Sequence, residues 1–481
     1  MALVATLWAL LAASQAPAAP LTQPADRLTW LSRRGIELLK QKKYEDAEKT
    51  FDEALRISPN RYLNLYNMAC AKARLGRTQD ALGYLERATS EGFTDFIHIQ
   101  KDEDLASLRR LPRYEALMGR KDELQRQDAQ RIVAFLKHEL GQGYLFEIDT
   151  EHKLIFATNT DAPTLAELKR RLVMQATSLW EQVFENRPDQ YISMVLPSAV
   201  DYRQIVSRPG VGGFYDHENR RLIAQRLGQV MQHEFTHALH NSDLDWLEQE
   251  HAAWVQEGLA TLFESGRFEG QRLSPAESYR LGAVQEAARK GRLIPFTRLF
   301  AMDPKAFTAN AVVNLTYGQA GSLMLYLHEQ GLLRKFYETY KQGYAAEKTG
   351  RAALERVTGR KLAEVEREWK EWMMGRTPPP LDTGPQGAIL GARFGEANDG
   401  LRIDYLLPLG PAQRAGLKAG DIVVGVDGED VRDANSLMPL LSEHAPGDRV
   451  TVKVRRGEAY VSVVVRLGRR DAVEGRPASR Q

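Results

Sequence analysis

The sequence predicts a multidomain protein with an all-α repeat domain, a central α+β domain and a small, mainly β domain. Three observations support this order. Small and large apolar residues recur after 34 positions near the N-terminus, an H-E-x-x-H pattern lies in a helix-forming stretch near the middle, and alternating apolar strands follow a proline-rich segment. A chain of 481 residues is long enough for two to four domains with a core in each.

Composition narrows the classes of partner. Lys and Arg nearly balance Asp and Glu, and the net charge is +2, so no nucleic-acid partner or anionic membrane surface is implied. Cys70 is the sole cysteine of the chain, which excludes an intramolecular disulfide and a zinc site built from thiolates. Cys70 falls in an apolar pattern and is expected to be a small buried residue rather than a reactive thiol.

The N-terminus predicts an export signal over residues 1–18. The apolar run over 2–13 is too short to span a bilayer, and Ala16-Pro17-Ala18 fits a small-residue cleavage site. No Lys or Arg precedes Arg27, so a disordered N-terminus or an uncleaved apolar helix stays open as an alternative. Export would place the protein in the bacterial periplasm or outside the cell. No later stretch predicts a transmembrane span, so none is expected in the mature chain.

The first domain is expected over residues 28–124. Ala47, Phe51 and Ala54 are matched 34 positions later by Ala81, Leu85 and Ala88. Small residues at these positions let paired helices approach closely. The period and pattern resemble the tetratricopeptide repeat, which implies stacked helix pairs, with residues 102–117 as a cap. The concave surface would bind a peptide or protein partner, although a packing module that braces the next domain explains the repeats equally well.

The H-E-x-x-H pattern is His233-Glu234-Phe235-Thr236-His237. On a helix, positions four apart lie on one face, so both imidazoles can point at one metal ion. Glu234 would then face the neighbouring water rather than the metal. A catalytic zinc ion needs a third protein ligand and one open position, and Glu257, twenty positions after His237, is the candidate. The alternative is a polar helix face with two surface histidines.

Residues 254–261, W-V-Q-E-G-L-A-T, follow the pattern at a distance that resembles the gluzincins, a class of zinc peptidases that includes thermolysin. The resemblance implies a thermolysin-like α+β domain over 125–375. It also implies one Zn²⁺ per chain, held by His233, His237 and Glu257, with Glu234 as the general base. Thr261, one turn after Glu257, is the nearest candidate to hold the other nitrogen of a ligand histidine.

The gluzincin resemblance extends to both sides of the pattern. Strand-like and helical runs precede it, and the edge strand that binds substrate backbone would lie near residues 212–215, with His217 and Glu218 in a turn. Tyr317 opens a helical segment that resembles aminopeptidase-N-like enzymes, where such a Tyr stabilises the oxyanion. A half-buried Tyr at a helix start is the alternative. The aminopeptidase motif G-x-M-E-N is absent in recognisable form, which leaves endopeptidase action open.

A proline-rich linker is predicted over 376–386, a further domain over 387–470 and a disordered tail over 471–481. The run A-G-L-K-A-G-D at 415–421 and V-D-G at 426–428 resemble the PDZ domains of bacterial envelope proteases. That resemblance implies that an added peptide strand is bound at a sheet edge, with its terminal carboxylate on a loop. The implied loop residues are Ile389, Leu390, Gly391 and Ala392. A PDZ domain that serves only as a packed appendage is the alternative.

Together these features predict a zinc-dependent peptidase for exported or envelope proteins, whose repeats and PDZ domain recruit a peptide or protein. A different class fits the same domains: a non-catalytic envelope scaffold or assembly factor with a vestigial zinc domain. Glu234 favours the peptidase, because a purely structural zinc site has no use for a base at that position.

Overall fold

The computed structural model describes residues 24–206, 212–225, 227–247, 249–309, 312–378, 388–397, 399–431, 436–437, 440–441 and 444–469. The predicted signal peptide over 1–18, the predicted tail over 471–481 and most of the predicted linker over 376–386 lie outside these residues. The chain divides into two compact units, Met1–Ile155 with Pro188–Ser193 and Phe156–Arg187 with Met194–Gln481. The predicted domain limits stay predictions.

Antiparallel helices form most of the first unit. They are α1 (Pro24–Lys40), α2 (Tyr44–Ile57), α3 (Tyr62–Arg74), α4 (Thr78–Ser90), α5 (Phe96–Lys101), α6 (Pro112–Gly119) and α7 (Lys121–Leu140), with a 3-10 turn at Glu103–Leu105. All six residues that define the repeat period are fully buried. A Cβ on Gly35 would collide with the Phe51 ring, so this glycine permits the close contact of α1 and α2.

The expected cap and the expected buried cysteine both have counterparts in this unit. The 3-10 turn and α6 occupy the region predicted as the cap, and Leu105 and Leu117 are buried in the helical core. Cys70 is also buried there, and burial raises the pKa of its thiol. The thiol is therefore a poor nucleophile, which agrees with the structural role predicted for it.

Within the described residues, five strands and two helices lie between α7 and the H-E-x-x-H pattern. The strands are β1 (Leu145–Asp149), β2 (Leu154–Thr158), β3 (Ile192–Leu196), β4 (Gly213–Asp216) and β5 (Arg221–Ala224), with α8 (Ala162–Gln182) and α9 (Ala199–Ile205) between them. In the first unit β1 pairs with β2. The order continues as β2-β3-β5-β4, so β4, which lies in the region predicted as the edge strand, is at the edge, and β5 lies between β4 and β3.

Helices make up most of the rest of the centre. They are α10 (Gln229–Asp245), α11 (Ala253–Glu264), α12 (Leu281–Arg289), α13 (Phe296–Leu299), α14 (Pro304–Phe307), α15 (Val313–Glu329), α16 (Leu333–Gly343), α17 (Arg351–Thr358) and α18 (Leu362–Met374). The sequence does not predict the hairpin of β6 (Arg267–Glu269) and β7 (Arg272–Ser274), which turns at Gly270 in the left-handed region. Glycine takes that conformation without strain, which permits the tight turn between the two strands.

The C-terminal part is mainly β, as predicted. It contains β8 (Ala388–Ile389), β9 (Ala392–Ala397), β10 (Gly400–Leu406), α19 (Pro411–Arg414), β11 (Ile422–Val426), β12 (Glu429–Asp430), β13 (Arg449–Arg456), β14 (Ala459–Arg466) and β15 (Gly468–Arg469). The main sheet has the order β14-β13-β11-β10-β9, and β8 pairs separately with β15. Among the helices that the structure describes, none has both the length and the apolar character needed to cross a bilayer.

Candidate metal centre

Helices α10 and α11 bring together the three residues that the sequence nominates as metal ligands. His233 Nε2 lies 3.1 Å from His237 Nε2 and 3.3 Å from Glu257 Oε2, and His237 Nε2 lies 3.4 Å from the same oxygen. The two histidines are one turn apart on α10, which puts both rings on one face. Helix α11 packs beside α10 and brings the carboxylate of Glu257 to the two histidines.

The donor set fits a zinc ion. Tetrahedral bonds of about 2.0–2.1 Å require ligand atoms about 3.3 Å apart, which matches all three separations. Two imidazoles and one carboxylate are also the donors of a catalytic rather than a structural zinc site. The neighbouring His237 and His233 lower the pKa of Glu257 against the opposing effect of burial, so this carboxylate stays ionised.

The ring nitrogen of His233 that faces away from the ligand cluster contacts Glu264. The sequence predicts Thr261 for this role, and the structure corrects that prediction. His233 Nδ1 lies 2.8 Å from Glu264 Oε2, in a buried contact. Thr261 Oγ1 is buried and has no hydrogen-bond partner among the described residues. Its methyl group instead faces Gly321, where an added Cβ would lie 2.5 Å away. Glu264 is two helical turns after Glu257, and this spacing is the signal in the sequence that could have identified it.

Arg280 completes this support and was missed from sequence. Its guanidinium forms an ion pair with Glu264 and lies over the rings of Tyr279 and Tyr317, at 4.5 and 5.5 Å from their centroids. Burial lowers the pKa of Arg280 to about 10, so the side chain stays charged at neutral pH. No motif surrounds Arg280, which lies in the connection before α12, so only the tertiary fold reveals its position.

Glu234 follows His233 on α10 and is not among the three residues whose ligand atoms converge. Burial raises the pKa of its carboxyl group, and a hydrogen bond from the backbone of Tyr215 on β4 opposes the rise. The base candidate is thus adjacent to the edge strand as well as to the histidines. The turn after β4 contains His217 and Glu218, as predicted, and His217 Nε2 lies 3.3 Å from Asn241 Nδ2 on α10.

Close packing of α15 on α11 brings Tyr317 to the same place. A Cβ on Gly258 would lie 3.1 Å from the Ala320 carbonyl oxygen, and one on Gly321 would lie even closer, 2.5 Å, to the Thr261 methyl group. The Tyr317 ring lies parallel to that of His233, with centroids 5.7 Å apart. Burial, and then the Glu257 carboxylate, raise the pKa of Tyr317. Its hydroxyl therefore keeps its proton and can act as a hydrogen-bond donor.

A second buried histidine pair is formed by His240 on α10 and His251 in the connection before α11. His240 Nε2 is 3.0 Å from His251 Nδ1, and His251 Nε2 is 3.1 Å from Gln249 Oε1. The adjacent Asp243 is fully buried and accepts hydrogen bonds from the backbone and from two side chains. Its partners are the backbone N–H groups of Glu185 and Asn186, the Tyr337 hydroxyl and Lys341 Nζ. This network was not predicted, and it fixes the end of α10.

The predicted PDZ loop connects β8 to β9. Ile389 belongs to β8, Leu390 is buried in the core, and Gly391 has φ of +73°, which favours glycine. The carbonyl oxygens of Leu390 and Gly391 accept hydrogen bonds from Ala412 and Leu407. These bonds fix the shape of the loop beside β9, which lies at one edge of the sheet.

Comparisons with protein families identify the two outer regions. Residues 29–61 match the tetratricopeptide repeat and residues 388–467 match the PDZ domain, which confirms both predictions. These modules define a protein with roles in protein interaction. Residues 229–346, which contain the candidate metal centre, match a family described as a protein of unknown function, DUF1570.

Among curated proteins, the chain is 40% identical to a probable periplasmic serine endoprotease DegP-like of Halomonas elongata over 18% of each chain. It is 39% identical to a serine protease Do-like HtrA of Lactobacillus helveticus over 14% of this chain and 17% of that one. A chloroplastic protein of Arabidopsis thaliana is 34% identical over 19% of this chain and 28% of its own. The chain thus spans less than a third of the length of these relatives. The serine protease relatives match the PDZ region alone.

One solved structure covers more of the chain. An aminopeptidase N family protein from Idiomarina loihiensis aligns with 68% of this chain and 66% of its own, at 15% identity and a TM-score of 0.27. A likeness at this score carries no weight in assigning a function.

Proposed function

We propose that this protein is a zinc-dependent peptidase that cleaves exported or envelope proteins, with its centre in a thermolysin-like domain. The observation that carries the proposal is the convergence of His233, His237 and Glu257 at the spacing of a zinc site, with Glu234 beside them. The PDZ match to proteins named as periplasmic proteases supports an envelope location.

Glu234 is the group that would move protons. A zinc ion at the site would supply Lewis acidity and make water more acidic. Because Glu234 is not needed as a ligand, its carboxylate is free to take a proton from water and to deliver it to the leaving amine. Burial raises the pKa of Glu234, which makes its carboxylate a stronger base than an exposed one.

Tyr317 and the β4 edge would hold the substrate. The protonated Tyr317 hydroxyl can donate a hydrogen bond to the oxygen that becomes negative during attack on a peptide carbonyl. The edge strand β4 lies next to Glu234, so an extended peptide added there would pass the reacting groups. Glu264 and Arg280 would keep the His233 ring in the orientation and tautomer that a metal ligand needs.

The flanking modules would recruit the substrate or a partner. PDZ and tetratricopeptide repeat domains typically bind peptides or proteins, and the loop Ile389–Leu390–Gly391–Ala392 is the candidate carboxylate cradle. The edge position of β9 supports strand addition beside that loop.

Metal analysis tests the ligand set. We expect one zinc ion per purified native chain and loss of stoichiometric zinc in His237→Ala, because two donors no longer complete the site. The matched control is His217→Ala, which removes a nearby histidine from the hairpin turn and should retain zinc. If His237→Ala keeps stoichiometric zinc at native affinity, the ligand assignment is wrong.

Activity of Glu234→Gln separates the peptidase from the non-catalytic scaffold. We expect the variant to keep its fold and its zinc and to lose hydrolysis of exported-protein substrates by about 10²–10⁴-fold, the range for loss of a general base. A comparison of envelope peptides from cells with the native and the variant protein would also identify substrates. Equal hydrolysis by a zinc-replete Glu234→Gln protein would exclude Glu234 as the base, and absence of hydrolysis by both would favour the scaffold.

A further inference from the structure

The hairpin of β13 and β14 leaves one long strand at the edge of the main C-terminal sheet. β14 pairs with β13 along all eight residues without a register shift, and the strand order ends on β14. The turn between Arg456 and Ala459 has two residues, and its first, Gly457, has φ of +62°. In such a hairpin the pair that flanks the turn is hydrogen-bonded, and bonded and open pairs alternate from there.

This register decides which groups of β14 face outward. The odd-numbered residues from Ala459 onward bond to β13, so the N–H and C=O groups of Tyr460, Ser462 and Val464 point away from it. Within the described residues, no hydrogen bond reaches these outward backbone groups. The helix α19 contacts the hairpin from the core side, where Ala412 and Val465 are buried.

Two of these three residues, Tyr460 and Val464, expose large apolar side chains on one face of the sheet, with Ser462 between them. Tyr460 is 62% exposed and Val464 is 58% exposed. Natural edge strands usually carry a proline, a bulge or an inward-facing charge that prevents pairing with another strand. Residues 459–466 contain none of these. At the opposite edge, by contrast, the pairing of β9 with β10 is interrupted by a register shift.

We propose that β14 is a docking edge for β14 of a second copy of this chain. In an antiparallel pair centred on Ser462, Ser462 of one copy lies opposite Ser462 of the other, and residue 460 of each copy lies opposite residue 464 of the other. The outward N–H and C=O groups of the two strands then face each other and can form hydrogen bonds. Tyr460 would lie opposite Val464 of the second copy, an aromatic and β-branched pair of the kind that stabilises sheets.

Charge selects a second copy rather than an unrelated strand. Glu458 is the turn residue that directly precedes β14. The same register continued by this one residue brings it to Arg466 of the second copy, so opposite charges would meet at both ends of the contact. Glu458 is exposed and has no ion pair with the residues that the structure describes. Arg466 Nε donates a hydrogen bond to the Gly447 carbonyl oxygen at 3.2 Å, and its terminal nitrogens remain for the partner charge. A strand is its own complement only when residues equidistant from its centre match, as these do.

Sedimentation of the full chain tests the contact. Because one strand pair is a small interface, we expect a dimer that forms with rising concentration. Glu458→Arg and Arg466→Glu should each abolish the dimer, since like charges then face each other at both ends. An equimolar mixture of the two variants should restore association as a heterodimer, because each reversed charge meets an opposite one. If the native chain sediments as a monomer at every concentration, the proposal is wrong, and a strand of another protein becomes the alternative partner of β14.

A disulfide trap tests the register independently. Ser462→Cys places two thiols at the centre of the contact, within the span of a disulfide between directly opposed residues. Lys453→Cys is the matched control, because Lys453 pairs with Ser462 on the same exposed face but one strand further from the edge. We expect oxidised dimers for Ser462→Cys alone, since Cys70 is buried. Equal cross-linking at both positions, or a mixture that associates no better than the single charge variants, would overturn the proposal.

Discussion

Two histidine pairs on and beside α10 have almost the same geometry and opposite surroundings. The nitrogens of His233 and His237 lie 3.1 Å apart, and those of His240 and His251 lie 3.0 Å apart. The first pair shares a half-buried carboxylate, Glu257, whose Oε2 lies within 3.4 Å of the Nε2 atoms of both rings. The second pair has the amide oxygen of Gln249 and aromatic rings around it.

The surroundings therefore decide what the short distance means. In the second pair the His240 N–H can donate to His251, whose own N–H donates to Gln249, so both N–H groups of two neutral rings have an acceptor. In the first pair His233 Nδ1 is already directed at Glu264, and its Nε2 faces both His237 Nε2 and the Glu257 carboxylate. Acceptors that converge in this way are stabilised by a cation, which is what distinguishes a metal site from a structural pair.

Removing one tyrosine hydroxyl beside each histidine pair should give the largest difference between the two pairs. Tyr317→Phe should lower the catalytic rate by about 10²–10³-fold, as the loss of one oxyanion donor does, with zinc content unchanged. Tyr337→Phe is the matched control, because Tyr337 contacts His240 and His251 and donates to Asp243. The control should lose about 1 kcal/mol of stability and keep its turnover.

Turnover and melting temperature measured on both variants would check the assignment. Full turnover in Tyr317→Phe would return this residue to a packing role at the start of α15. The oxyanion donor would then have to be another group near the site.

Substituting a carboxylate that supports each histidine pair should have a smaller effect, on zinc affinity. Glu264→Gln should weaken zinc affinity by about 10–100-fold, because the carboxylate that orients His233 is lost while the three ligands remain. Glu185→Gln is the control, since Glu185 contacts Lys341 beside the second pair and is exposed. Competition with a chelator would measure both affinities. Native affinity in Glu264→Gln would mean that Arg280 and the backbone hold His233 without it.

The two histidine pairs also show which site residues can be predicted from the sequence and which cannot. His233, Glu234 and His237 follow from helical spacing, and Glu257 and Tyr317 follow from a family resemblance on short motifs. The spacing of Glu264 from Glu257, two helical turns, also puts it on the face of α11 that contacts His233, whereas Thr261, only one turn away, faces Gly321. Arg280 and the contact of His240 with His251 arise from packing between elements distant in sequence, which periodicity does not encode.

The same division holds for the fold. The repeat helices and the PDZ strands were predictable because their apolar periods are regular and long. The hairpin of β6 and β7 was not, because a short strand pair with one turn glycine leaves little pattern within a helical region.

The second pair, His240 and His251, should make the stability of the folded protein depend on pH. Burial lowers the pKa of His251 to about 3 and also lowers that of His240, whereas an unfolded histidine has a pKa of about 6.5. Between these values the unfolded chain binds more protons, so stability is complete above about pH 6.5 and falls as the pH drops toward 3. Each histidine contributes a slope of at most about 1.4 kcal/mol per pH unit. Lys341 and Asp243, the charged groups nearby, pair with each other.

His251→Gln should flatten this dependence, because glutamine can accept the His240 hydrogen bond and does not titrate. Unfolding by urea at a series of pH values, in the presence of a chelator, would isolate the effect from metal release. The expected result is a lower stability than native at pH 7 and a shallower decline between pH 6.5 and 4. His138→Gln, at a histidine whose side chain is 86% exposed, is the control and should keep the native slope. An unchanged slope in His251→Gln would show that this pair is not a source of acid sensitivity, and the contrast between the two pairs would rest on metal binding alone.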